Sequence, residues 1–365
     1  MKKQATILLT GILISIIALA VPKKEKTGKD IFDKKYVKNI MQKVFEWQLE
    51  HPVVGNAIVA DDWARAVFYV GITRAYQQTK DKDYLKAAKH WSDSLNYQLG
   101  PRLRHSDDHT RGQVFLDIYA VKKDKAMIAG TETKFDSIML EPNLYPRERW
   151  WCDALFMSPP VWVRLAQATG EQKYNDYMSH MWWDVTDFLF DKDENLYYRD
   201  KSFFEKRTSH GKKIFWGRGN GWVMGGLVQI LERLPKDNAD YDKYVELYKK
   251  MSIKIASLQK PDGLWPPSLL DSEEFPQKET SGSGFYTFAL AWGINNHLLD
   301  EATYLPIVHK GWQALTDAVQ PDGKLTYVQK IGSKPDLVKE SDNQEYGSGA
   351  FLMAGTEMIK LAGKK

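Results

Sequence analysis

The chain has 365 residues, among them 13 Trp, 18 Tyr and 15 Phe, with 43% hydrophobic and 27% charged residues. This is ample material for one large core and excludes extended disorder, while 25 Gly and 15 Pro without a short period exclude a collagen-like chain. The net charge is only +4, and without a long Lys/Arg block it leaves no footprint for non-specific binding to nucleic acid.

The first twenty residues read as a secretory signal peptide. Met1-Lys2-Lys3 is a basic start, Ile7 to Ala20 an apolar run, and Ala18-Leu19-Ala20 a small-x-small cleavage pattern. The alternative is an uncleaved anchor, for which the run is short. Cleavage after Ala20 leaves a net charge of +2 and no membrane attachment, since no cysteine lies nearby to take a lipid. Residues 21–31 then form a linker and residues 32–365 one domain. Cys152 is the single cysteine, so an internal disulfide is excluded. The expectation is an exported bacterial protein, periplasmic or secreted, whose large core needs no staples.

The domain opens with a helical stripe, Val37, Ile40, Met41, Val44, Phe45 and Gln48, ended by His51-Pro52. An imperfect repeat follows. Six times a polar or Gly-rich turn leads into an apolar helix: Val59 to Tyr76, Ser106 to Val121, Glu148 to Ala166, Trp216 to Leu231, Glu279 to Ile294 and Asp342 to Ile359. Several are followed by a more polar helix introduced by a short loop and a tyrosine, at Tyr84, Tyr174, Tyr241 and Tyr304. Asp62, Asp108 and Asp153 are spaced 46 and 45 residues apart; later intervals are longer, with loops inserted at 191–213 and 261–278. Helix pairs at this period build a solenoid or a closed toroid. Six first helices that are apolar all round predict closure, hence an all-α fold, the (α/α)6 barrel.

In such a toroid the turns entering the inner helices share one rim. Those turns carry Asp61, Asp62 and Trp63; Asp107, Asp108, His109 and Arg111; Trp150, Trp151 and Asp153; Trp216, Arg218, Asn220 and Trp222; Trp265; Glu345 and Tyr346. Aromatic faces among acids and amides suit a sugar ring, whose C–H face is apolar and whose rim is hydroxyl. Each acid also has a plainer reading as a helix N-cap, and Asp61, Asp62 and Asp107 are assigned to it. Asp153 differs. It sits in the apolar stretch between Trp151 and Phe156, where burial would raise its pKa as a general acid requires. Asp108, between Arg104 and Arg111, has neighbours that would keep a carboxylate ionised. Gly217, Gly219 and Gly221 around Arg218 either bring the backbone close to a ligand or serve the helix start. Trp182-Trp183 reads as core. No metal site is expected from eight scattered histidines, and neither a P-loop nor a nucleophile elbow is present.

The segments DDHTRGQVFLDIY, RWWCDALFMSPP, FWGRGNGWV, LQKPDGLWPPSLLD and ETSGSGFYTFALAWGI resemble glycoside hydrolase family 105, the unsaturated rhamnogalacturonyl and unsaturated glucuronyl hydrolases. The resemblance spans nearly the whole chain after residue 20. It implies removal of a 4,5-unsaturated uronic acid from the non-reducing end of a lyase-cut oligosaccharide by hydration of the enol ether. A carboxylic acid protonates C4, water adds at C5, and the hemiketal collapses. Asp153 matches the acid and Asp108 the second functional carboxylate. Trp151, Arg218 and Trp222 match substrate-binding positions, with Arg218 suited to the uronate carboxylate; His109 and Trp216 join them as substrate-binding candidates. No cofactor and no metal is implied, and the partner is an acidic oligosaccharide.

One departure concerns Leu196-Tyr197-Tyr198-Arg199-Asp200, where pectin-acting members often carry a Tyr-His-Gly-Trp-like segment. Arg199 either faces an anionic group, a sulfate or second uronate as in ulvan-type oligosaccharides, or is a solvated loop residue. Two other functions fit the same residues. One is an inverting (α/α)6 glycosidase on saturated glycans, with Glu345 or Asp62 as its second acid; the other is a non-catalytic toroid that binds acidic oligosaccharides.

Overall fold

A helix with water on no side must be apolar around its whole circumference, and α10 (Gly217–Leu231) is such a helix: every one of its residues is buried. The computed structural model describes residues 30–53, 63–140 and 151–363. The signal-peptide and linker readings, and Asp61, Asp62 and Trp150, lie outside the described residues. No helix among those described is long and apolar enough to cross a membrane.

The described residues form two concentric rings of helices. The inner ring contains α2 (Trp63–Thr79), α5 (Arg111–Lys122), α8 (Pro159–Thr169), α10, α12 (Ser281–Asn295) and α14 (Glu345–Ala362), each packed on the next. Contact between α14 and α2 closes it. The outer ring contains α1 (Lys34–Glu50) on α14, α3 (Lys82–Ser94) on α2, α6 (Ala126–Leu140) on α5, α9 (Lys173–Leu189) on α8, α11 (Tyr241–Ser257) on α10 and α13 (Glu301–Asp317) on α12. This is the (α/α)6 barrel that the repeat predicts. Outer helices bury one stripe only; in α1 it is Val37, Met41, Val44, Phe45 and Gln48, with Ile40 partly covered.

Two inner segments read as continuous helices are each divided. A one-turn helix α4 (Ser106–His109) precedes α5, and α7 (Ala154–Met157) precedes α8. At the second break Pro159 and Pro160 supply no N–H, so a new helix starts there. A two-residue hairpin, β1 (Phe190–Asp191) and β2 (Leu196–Tyr197), turns through Asn195 at φ 54°. Asn220 of α10 pins it. Its side chain accepts from Tyr197 N at 2.8 Å and donates to Tyr197 O at 3.0 Å.

The C-terminal ends of the inner helices are tied by ion pairs between side chains. Arg74 bonds Glu232 and Glu357, both at 2.7 Å, and Arg164 donates to Asp117 at 2.9 Å. Burial presses the Glu232 carboxyl upward, but Arg74 outweighs it and holds the group at about 2. A cleft of about 370 Å³ opens at this end, lined in part by Arg74, Glu232, Arg233 and Lys360. Because the guanidinium of Arg74 is already matched by carboxylates, the cluster serves to join helices.

Ring closure depends on glycine. A Cβ at Gly349 would lie 2.5 Å from Val67 O, and one at Gly71 would lie 2.6 Å from Gly349 O. Both obstacles are backbone atoms, so neither can be relieved by a rotamer. Gly349→Ala should therefore lower the unfolding free energy by about 1–3 kcal/mol, read from urea denaturation, as overpacking does in cores. An unchanged midpoint would mean the helices can part without loss.

Candidate active site

The starts of the inner helices meet at the opposite end from the ionic cluster. Trp63 of α2 stacks on Tyr346 of α14, with ring centroids 5.4 Å apart, and Trp222 of α10 lies against Phe156, Phe285 and Tyr346. Six helix N-termini converging on one rim present partial positive charge to whatever binds there.

Asp153 stands directly before α7, yet its side chain caps nothing. It is 8% exposed, and its Oδ1 lies 3.4 Å from Cys152 Sγ, which donates to it, and 3.9 Å from Arg199 Nε. Burial pushes its carboxyl above the usual range, and Arg199, Cys152 and Arg218 pull only partly back. Asp153 thus binds a proton more tightly than an exposed carboxylate does.

Asp108 is held the other way. It accepts from Arg102 at N (2.7 Å) and Nη2 (2.5 Å). Burial presses its carboxyl up, but these bonds and the Arg102 charge outweigh it and keep the group ionised below the usual range. Gly100 makes room, since a Cβ there would fall 2.4 Å from the Asp108 carboxyl carbon. Two carboxyls with opposite proton affinity on one rim are the usual sign of divided acid–base duty.

Trp151 is half-buried, its ring 5.6 Å from the Arg199 guanidinium carbon and 5.2 Å from the His105 ring. Arg199 reaches this place through the hairpin: Cys152 N donates to Arg199 O at 2.9 Å, clipping the two segments together. Its Nη1 donates to Asp200 at 2.8 Å. A solvated loop residue it is not, with its side chain 23% exposed.

Several sequence candidates have other work. Arg218 is 1% exposed; Nη1 donates to Gln329 O at 2.7 Å and Nη2 to Lys330 O at 2.9 Å. Both terminal nitrogens are taken, and only its buried Nε is left without an acceptor. Trp216 is buried, donates to Gln329 Oε1 at 2.9 Å and lies beneath the Arg218 guanidinium. Trp222, also buried, is aromatic core. His109 is fully engaged, Nδ1 with Ser158 Oγ and Nε2 with Leu103 O, both at 2.8 Å, so it ties the loop before α4 to the α7–α8 junction. Trp265 donates to Ile255 O at 2.7 Å and lies in the core rather than on the rim. Trp182 is core as expected. Glu345, a possible second acid, accepts from Arg65 at 2.9 Å; Asp62 is outside the described residues. No group of three His, Cys, Asp or Glu side chains able to hold a metal occurs among the described residues.

A family model described as Glycosyl Hydrolase Family 88 matches residues 26–362. The chain belongs to this family. An unsaturated 3S-rhamnoglycuronyl hydrolase of Formosa agariphila is 38% identical over 383 aligned residues, covering 99% of this chain and 100% of the relative. Another of that name, from Alteromonas sp., is 39% identical over 318 residues, 81% of this chain and 77% of the relative. The solved structure of a glycosyl hydrolase family 88 protein from Bacteroides vulgatus superposes with a TM-score of 0.83 at 30% identity, over 90% of this chain and 99% of that one. The family 105 resemblance read from the motifs stands with this membership, and the chain is a glycoside hydrolase of the unsaturated-uronyl class.

Sequence reasoning missed Arg102, although its position six residues before Asp108 in a turn is a usable signal. It also missed Lys330, whose part is played by a main-chain carbonyl that leaves no mark in residue type, and Gln329, which acts through its main-chain carbonyl and its side-chain Oε1 together.

His109 gives a test of this arrangement. Burial pushes its imidazole down from 6.5 to about 4, so the folded protein resists a proton that the unfolded chain accepts. Its stabilising contribution is complete above about pH 6.5 and should fall by about 3 kcal/mol as pH drops toward 4. His109→Gln keeps a donor and an acceptor without titrating. Urea denaturation at both pH values should show a smaller loss in this variant; equal losses would place the proton-sensitive group elsewhere.

Proposed function

We propose that the enzyme removes the 4,5-unsaturated uronic acid from rhamnose-linked, sulfated oligosaccharides of the ulvan type. Asp153 is the proton donor in this reading. Its carboxyl gives a proton to C4, positive charge develops at C5 and the ring oxygen, and water adds at C5. The proton released by that water returns to Asp153, and the resulting hemiketal collapses to free the aglycone. The observation that carries the reading is a buried carboxyl with no capping duty, beside a tryptophan face and a half-buried arginine.

Trp151 offers the apolar surface on which a flattened unsaturated ring lies. Arg199 takes the uronate carboxylate through its unsatisfied Nε side; Arg218 also has an unsatisfied Nε, but both of its terminal nitrogens are fixed to main-chain carbonyls. Asp108, ionised on Arg102, orients the sugar or the water. The sulfate and rhamnose are argued from the relatives, whose names specify 3S-rhamnoglycuronyl substrates. Arg102, whose side chain is 57% exposed, supplies a cation at the rim that an anionic aglycone can meet. In the same reading residues 1–20 direct export, which suits an oligosaccharide met outside the cytoplasm.

The conjugated enol-ether acid absorbs in the ultraviolet, so turnover is read as loss of that absorbance on lyase digests of ulvan and of rhamnogalacturonan. Wild type should consume the ulvan digest faster. Asp153→Asn should lower kcat by about 10²–10⁴-fold, the usual worth of a positioned general acid. Faster loss on the rhamnogalacturonan digest would overturn the aglycone assignment, and unchanged absorbance on both would remove the proposed substrate class.

A further inference from the structure

The pair Arg199 and Asp153 is unusually loose for a buried ion pair. At 3.9 Å from Oδ1, Arg199 Nε is too distant for a hydrogen bond, and this nitrogen is buried without an acceptor. An unsatisfied buried guanidinium N–H is costly, and a carboxylate arriving at the site would remove that cost. The side chain has a pivot: Nη1 is fixed by Asp200 Oδ2 at 2.8 Å, and Asp200 is itself anchored by Ser202 N at 2.8 Å. Arg218, the other cation whose charge reaches Asp153, is fastened to two carbonyls and has no such freedom.

We propose that Arg199 is held in common by Asp153 and the substrate's carboxylate, and that on binding it turns from the first to the second, so that Asp153 takes up the proton it will deliver. This rests on the reading of the previous subsection. Before binding, Arg199 favours the ionised form of Asp153. Once the uronate neutralises Arg199, burial is left to govern, and one proton enters from solvent. That proton goes to C4; the water that adds at C5 returns one to Asp153; release of the product gives it back to solvent. The groups that face Asp153 are Cys152 from its own segment, Arg199 with Asp200 from the segment after β2, and Arg218 from α10, with His105 beyond the Trp151 ring. Arg218 Nε is also without an acceptor, but with both terminal nitrogens fixed it cannot turn; Arg199 joins an open donor to a pivot. The uronate therefore arms the acid that will attack it, and an oligosaccharide ending in a neutral sugar would leave the acid unarmed.

The test is the pH dependence of absorbance loss on an unsaturated uronide, because kcat/KM reports the free enzyme and kcat the complex. In wild type the alkaline limb of kcat should lie above that of kcat/KM by about one pH unit, the shift expected from losing one adjacent charge. Arg199→Gln should raise KM at least about tenfold, the worth of one charge-assisted hydrogen bond. It should also move the kcat/KM limb up to meet that of kcat. A purely structural role would reduce turnover without moving either limb. Coinciding limbs in wild type, which need no variant to observe, overturn the inference; so does a separation that persists in Arg199→Gln. Absence of turnover on every unsaturated uronide would instead remove the underlying reading, and this inference with it.

Discussion

An inner helix of a closed double ring has no face toward water. In α10 and α12 this leaves glycine, alanine, aromatic and aliphatic residues along nearly the whole length, and it drives polar chemistry to the helix ends. The two ends are then used differently. At the C-terminal end, Arg74, Arg164, Asp117, Glu232 and Glu357 match one another and join helices. At the N-terminal end, Asp153 and Asp108 are left with unequal surroundings, and the site lies there.

Asp153 and Asp108 show how small differences of packing divide labour between like groups. Both are buried, but only Asp108 is clasped by a guanidinium through main chain and side chain together. Asp153 has a thiol and a cation beyond hydrogen-bond range. The first is held below the usual carboxylate range and the second is pushed above it. An enzyme working on an anionic sugar near neutral pH needs this inequality, because one group must give a proton while the other remains charged.

The barrel was legible because all-round burial marks a helix in its composition, and because the turns recur. Asp153 was legible for a related reason, a carboxyl within RWWCDALFM being conspicuous in apolar company. The roles of Arg218, Trp216 and His109 were not. Their partners are carbonyls of Gln329, Lys330 and Leu103 or side chains such as Ser158, reached only after the loops between helices have folded back. Residue type shows what a group can bond to, but not whether a distant main-chain oxygen has already claimed it. Arg199 shows the converse, a residue that could be read as solvated loop until a two-residue hairpin and Asn220 set it beside the acid.

The pairing of α1 with α14 bears on how the molecule is made. Most neighbours in the rings follow one another along the chain, but α14 must dock on both α1 and α2, roughly three hundred residues upstream. During synthesis the earlier helices can assemble as an open arc, with the flank of α2 that carries Gly71 still bare. The circle is shut when α14 docks, and only then is the bare flank hidden from other chains. A ring without α14 would expose that sticky edge to other chains, so the docking of this one helix guards the whole barrel against association.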